Sequence, residues 1–118
     1  MEWKDIENLQ AELREFVKER DWEQFHSPKN IAMALVVEAG ELMEPFQWLT
    51  EEQSRELDGD ALEQVADEIA DVQIYLARLA DQLGVSIGDA VEKKFAKNRA
   101  KYPAEKVRGS ARKYTEYE

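Results

Sequence analysis

The 118-residue sequence contains no cysteine and a single histidine, His26. The first absence excludes a disulfide framework, a zinc-thiolate site and a thiol nucleophile, and it fits an intracellular, cytoplasmic setting. The second excludes the Glu-x-x-His repeats on two helices that build a carboxylate di-iron bundle. Positive charge is also in deficit: 16 Lys and Arg against 26 Asp and Glu leave a formal net charge of −10. Such a surface is not expected to take nucleic acid or an anionic membrane as partner, although it can still meet phosphates if metal ions supply the positive charge. No run approaches the ~20 apolar residues of a membrane span, and Met1 is followed by mixed charges rather than an apolar leader segment. Alternating β-type patterning is missing as well, so the fold class expected is all-α.

What the chain has in quantity is acid, and most of it is uninformative. At this frequency roughly five or six acid-x-x-acid matches arise by chance. Two of them stand apart by context. In IAMALVVEAGELM, residues 31–43, ten residues are apolar and the only charges are Glu38 and Glu41. A solvated helix face does not read that way. At 100° per residue Glu38 falls among Ile31, Leu35 and Leu42, with Glu41 about 60° to the side. The second pair, Glu68 and Asp71, lies with Tyr75 on the margin of an apolar stripe formed by Leu62, Val65, Ile69, Val72, Leu76 and Leu79. Clustered carboxylates in such settings repel one another, so protons or cations must neutralise them.

Five helices follow from periodicity and punctuation. The first runs from residue 3 or 5 to 20, with Ile6, Leu9, Leu13, Phe16 and Val17 as its apolar stripe. The second opens at Ser27 as N-cap with Pro28 at N1 and ends near Glu44, ahead of Pro45. Thr50 and Gln53 form a capping box for a short connector helix reaching about Leu57. The fourth spans about 61–83 with Gly84 at its C-terminus. Ser86 and Asp89 start the fifth, which stops at Tyr102-Pro103. The expectation is a single domain over 1–103 with a four-helix-bundle type core, a connector helix, and an irregular tail over 104–118 that is locally basic through Arg108, Arg112 and Lys113. At this size, pairing with other copies would help the core, so the chain is expected to be oligomeric.

Four carboxylates without Cys or His partners make an all-oxygen site, suited to Mg²⁺ or, as a second choice, Mn²⁺. Mg²⁺ so held commonly takes further ligands from substrate phosphates, which points to phosphate-ester or pyrophosphate hydrolysis.

With those residues placed, the chain resembles the all-α nucleoside triphosphate pyrophosphohydrolases, the MazG-like superfamily, and within it the dCTP pyrophosphatase branch. The likeness runs through DWEQFHSPKNIAMALVVEAGELMEPFQW, DEIADVQIYLARLA, KFAKNRAKYP and RGSARKYTEY, nearly the whole chain. It implies cleavage of a nucleoside triphosphate, dCTP or a modified dCTP first, to the monophosphate and pyrophosphate. Glu38, Glu41, Glu68 and Asp71 would hold the metal, with Glu38 as the catalytic proton acceptor. Substrate binding would fall to Tyr75, Lys94 and Asn98 near the phosphates and sugar, and to Trp22, His26 and Trp48 near the base. The resemblance further implies a homo-oligomer, a dimer of dimers with sites at subunit contacts, and Arg108 and Lys113 would reach phosphates from a neighbouring subunit. Two positions depart from the pattern: Pro45 stands where an apolar residue is expected, and Leu13 where a polar, base-facing ring is expected. The same reaction on dUTP or on a broad set of triphosphates remains open, as does a non-catalytic, cation-binding oligomerisation module.

Overall fold

The computed structural model describes residues 4–111, and among these the secondary structure is helical throughout, without a strand. In chain order come α1 (Lys4–Glu19), a 3-10 turn (Glu23–Phe25), α2 (Pro28–Met43), α3 (Glu51–Ser54), α4 (Gly59–Leu83), α5 (Ile87–Lys101) and α6 (Ala104–Val107). The all-α class expected from the sequence is therefore the class observed. Lys113 and Arg112, assigned to the basic tail, lie outside the described residues, as does residue 3 at the expected start of α1.

The caps explain most of the boundaries. Ser27 Oγ accepts the Asn30 amide at 3.2 Å, and Pro28 follows at the first helical position, where its missing N–H is no loss. At α3 the Thr50 hydroxyl accepts from the Gln53 amide at 3.1 Å, while the Gln53 side chain accepts the Thr50 amide at 2.9 Å. Gly84 closes α4 at φ +67°, a left-handed conformation that only glycine adopts freely. Three boundaries differ from expectation. α3 stops at Ser54 rather than near Leu57, α4 begins two residues early at Gly59, and the turn over Glu23–Phe25 has no periodicity to announce it. The last element, α6, is a single turn within the segment expected to be irregular.

The described chain forms two compact units, one from Lys4 to Val85 and one beginning at Ser86. In the first, α4 is the common support, with α2 and α1 both packed on it. Val17 of α1, Ile31 of α2, and Val65, Ala77 and Ala80 of α4 are the buried apolar residues among those described. Ala77 is fully buried, and Gln10 Nε2 of α1 donates to its carbonyl oxygen at 2.9 Å. Much of the apolar stripe expected on α4 is not buried within the protomer. Leu62, Ile69, Leu76 and Leu83 recur every seven residues and all are exposed. On α2, Met33, Val36, Val37 and Met43 are exposed too.

In the second unit, Ser86 Oγ accepts the Asp89 amide at 3.3 Å to start α5, and the Arg99 guanidinium lies 4.2 Å from the centre of the Phe95 ring.

Candidate metal centre and adjoining cavity

The packing of α2 along α4 brings the two acidic pairs together. Glu38, Glu41 and Glu68 each place a carboxylate oxygen within 4.8 Å of the others. Glu38 Oε2 and Glu68 Oε2 are buried and have no hydrogen-bond partner. Asp71, one turn further along α4, lies outside that three-residue group but is close enough for its charge to act on Glu38 and Glu68.

The electrostatics follow from this crowding. Burial, then the hydrogen bond to and charge of Glu41 and the charge of Asp71, push the Glu38 carboxyl from its ordinary 4.5 up to about 7. Glu68 is also raised, first by burial and then by the Glu41 charge, although a hydrogen bond from Glu38 works the other way. Among the described residues, no Lys or Arg pairs with any of the four acids. Two orphaned buried oxygens within a set of like charges fit a hard divalent cation with oxygen ligands. Glu38, Glu41 and Glu68 are the residues placed to hold one, with Asp71 beside them.

Asp71 also lines a cavity of about 430 Å³. Its apolar wall is Leu9, Leu13, Phe16, Val17, Trp22 and Ile74, with Tyr75 above Asp71 on α4. Phe16 and Trp22 meet edge to face, their ring centres 5.8 Å apart. The polar lining besides Asp71 is Glu12, His26 and Arg78. His26 Nδ1 accepts from Arg78 Nε at 3.3 Å, and the His26 carbonyl accepts from Gln82 Nε2 at 2.6 Å. Burial, reinforced by the Arg78 charge, holds the His26 pKa below its ordinary 6.5. The ring is therefore neutral near pH 7, with its proton on Nε2.

Of the sequence-predicted residues, the structure gathers Glu38, Glu41 and Glu68 around one point, and Asp71, Trp22, His26 and Tyr75 around the adjoining cavity. Leu13, which breaks the expected pattern, contributes apolar surface there. Trp48 does not line the cavity and is 87% exposed. Lys94 and Asn98 are exposed on α5, in the second unit, and Arg108 is exposed beyond α6. Sequence reasoning passed over Arg78. Its available signal was its position seven residues after Asp71, two helical turns along the same face of α4.

Residues 33–117 match the model of the MazG-like family. The chain belongs to the MazG-like family. This member is 47% identical over 114 residues to human dCTP pyrophosphatase 1, a match covering 95% of the chain and 65% of the human protein. It is 46% identical over the same length to the Bos taurus protein of that name, covering 66% of it. The chain thus spans just under two thirds of these curated relatives. Among solved structures, it is similar to a pyrophosphatase from Archaeoglobus fulgidus, with a TM-score of 0.75 and 38% identity, over 87% of this chain and 96% of that one.

Proposed function

We propose that the chain is a Mg²⁺-dependent nucleotide pyrophosphohydrolase that cleaves dCTP, or a modified dCTP, between the α- and β-phosphates to the monophosphate and pyrophosphate. The observation that carries this reading is the cluster of crowded carboxylates, two of whose buried oxygens have no partner, next to a cavity walled in part by aromatic side chains. The names of the curated relatives and of the archaeal neighbour support it.

Glu38, Glu41, Glu68 and Asp71 would hold the cation, for which Mn²⁺ is a second choice. The cation supplies positive charge against the triphosphate and makes water more acidic. Glu38, one of whose buried oxygens is unengaged by any partner, is assigned the proton of the attacking water. Trp22 and Phe16 offer ring faces to the base, a contact worth roughly 1–3 kcal/mol per base that asks for no charge. Tyr75 sits between base and acids, at the level of the sugar. Lys94 and Asn98 are assigned to the phosphates and sugar.

The exposed heptad line Leu62, Ile69, Leu76 and Leu83, and the exposed face of α2, support self-association, for which we propose a dimer of dimers. Trp48 would then serve a base site from a neighbouring copy, since its ring stands free of its own protomer. Among the described residues no helix is long and apolar enough to cross a membrane, and a cytoplasmic location is proposed with the nucleotide pool as substrate source.

Incubation with canonical and modified nucleoside triphosphates, with and without Mg²⁺, tests the reading. Pyrophosphate and dCMP appearing only with the cation, fastest from a cytosine nucleotide, is the expected result. Orthophosphate as the product, or no turnover of any triphosphate, would sink it.

A further inference from the structure

Among the described residues Arg78 is the buried charged residue, only 5% exposed, and none of the roles above uses it. A guanidinium carries five N–H donors in a planar fork and always keeps its charge. Here only Nε–H makes a hydrogen bond among the described residues, at 3.3 Å to a neutral acceptor, His26 Nδ1. Its carboxylate neighbour is no better placed. Nη1 is 3.7 Å from Asp81 Oδ2, and the other Asp81 oxygen is taken by Arg14 Nη1 at 2.7 Å. The spare Nη donors are not among the buried atoms without a partner, so water can satisfy them until a ligand with paired acceptors takes its place. Arg78 lines the cavity, so a ligand there is the available acceptor.

Position says which part of a ligand. Glu68, Asp71, Tyr75 and Arg78 follow one another at spacings of three and four, along one face of α4. Asp71 stands at the acid end, and Arg78 lies two turns, roughly 10 Å, beyond it. A nucleotide with its phosphates at the acids and its sugar beside Tyr75 brings its base to Arg78.

The chemistry of the fork then selects the base. Two parallel N–H donors match two adjacent acceptors. Cytosine offers such a pair in N3 and O2. Uracil and thymine carry a hydrogen on N3, which sets donor against donor. We infer that Arg78 reads the N3/O2 edge of a cytosine base in this cavity and is a specificity-determining residue. His26 holds the fork in place through Nε, and Gln82 fixes His26. This assignment rests on the proposed nucleotide site, but it concerns binding of the base and not the bond cleaved.

The test is calorimetric titration of the full chain with dCMP, dUMP and dGMP in Mg²⁺, for wild type, Arg78→Met, Arg78→Lys and Asp81→Asn, with dCTP hydrolysis followed in parallel. Wild type is expected to prefer dCMP over dUMP by roughly 10- to 100-fold, the worth of one well-made bidentate contact. Arg78→Met brings the ratio close to one. Arg78→Lys, which keeps the charge and loses the fork, lowers it as well, and serves if the methionine variant does not fold. Asp81→Asn disturbs the same ion-pair cluster without entering the cavity and leaves the ratio intact, as a merely structural role for Arg78 would not allow. The inference is overturned if folded Arg78 variants keep the wild-type ratio. It is equally overturned if wild type binds none of the monophosphates, shows no dCMP preference, or binds dGMP best, since guanine also has an acceptor pair in O6 and N7. A dCMP preference that depends on Arg78, in a protein that never hydrolyses dCTP, would remove the hydrolase reading and leave this one standing.

Discussion

Two groups of charges share the inner side of α4 and are built on opposite principles. Around Glu68 and Asp71 the neighbours are Glu38 and Glu41, so like faces like, and two buried oxygens have no partner. Around Arg78 and Asp81 the neighbours are Arg14 and His26, so opposite charges and a neutral acceptor meet at 2.7–3.7 Å. The second group supports the fold by itself, apart from the spare donors of Arg78. The first destabilises the fold unless protons or a cation neutralise it, and that difference marks a candidate binding centre against a structural cluster in a chain where acids are everywhere.

The comparison can be broken at either end. The largest effect is expected in the acidic group: Glu38→Gln or Glu68→Gln should lower pyrophosphate release on the order of 10²- to 10⁴-fold, while the metal-free protein melts no lower than wild type, because one member of a repelling set has been neutralised. A drop in melting temperature with unchanged turnover would reverse the assignment of the two groups. Asp81→Asn should do the opposite, destabilising the fold by about 1–3 kcal/mol in denaturant titration because the buried Arg78 loses its anion, with turnover retained.

A third expectation concerns pH. Unfolded Glu38 loses its proton near 4.5 and folded Glu38 near 7, so between these values the native state binds more protons than the unfolded chain. Stability must then fall as pH rises through that window, and the direction of the Glu68 shift adds to the effect. Thermal melts of metal-free protein from pH 5 to 8 should show the decline, and Mg²⁺ should remove most of it at the upper end. The smallest effect is expected for Arg14→Ala. The Arg14 side chain is 54% exposed, so its 2.7 Å pair with Asp81 should contribute no more than about 1 kcal/mol, and less in high salt.

The sequence disclosed the acidic group better than the rest of the site, for physical reasons. Glu38 and Glu41 interrupt an apolar segment, and a charge in such a place has to be explained. Ser27, Thr50, Gly84 and Ser86 announced their helix ends through side chains or a backbone conformation that propensity rules describe. Arg78 gave no comparable signal, because an arginine in a long amphipathic helix reads as surface, and only the placement of α1 and the Glu23–Phe25 turn over it makes it buried. The apolar stripe of α4 was legible as a stripe, but not how much of it the protomer covers. Val65 is buried while Leu62 and Ile69, one turn to either side of it on the same stripe, are exposed, as are Leu76 and Leu83, and periodicity alone does not say how far a neighbouring helix extends over a face. Trp48 was visible as an aromatic near the acids, yet its distance from the cavity of its own protomer depends on the turns after Met43, which Pro45 helps set.

The central claim is that Glu38, Glu41, Glu68 and Asp71 form one divalent-cation centre. Mn²⁺ binding followed by electron paramagnetic resonance, in wild type and in Glu38→Gln and Glu68→Gln variants, tests it most directly. The account predicts saturable binding in wild type that Mg²⁺ displaces and that each single substitution abolishes or severely weakens. Binding of equal strength in all three proteins would contradict it.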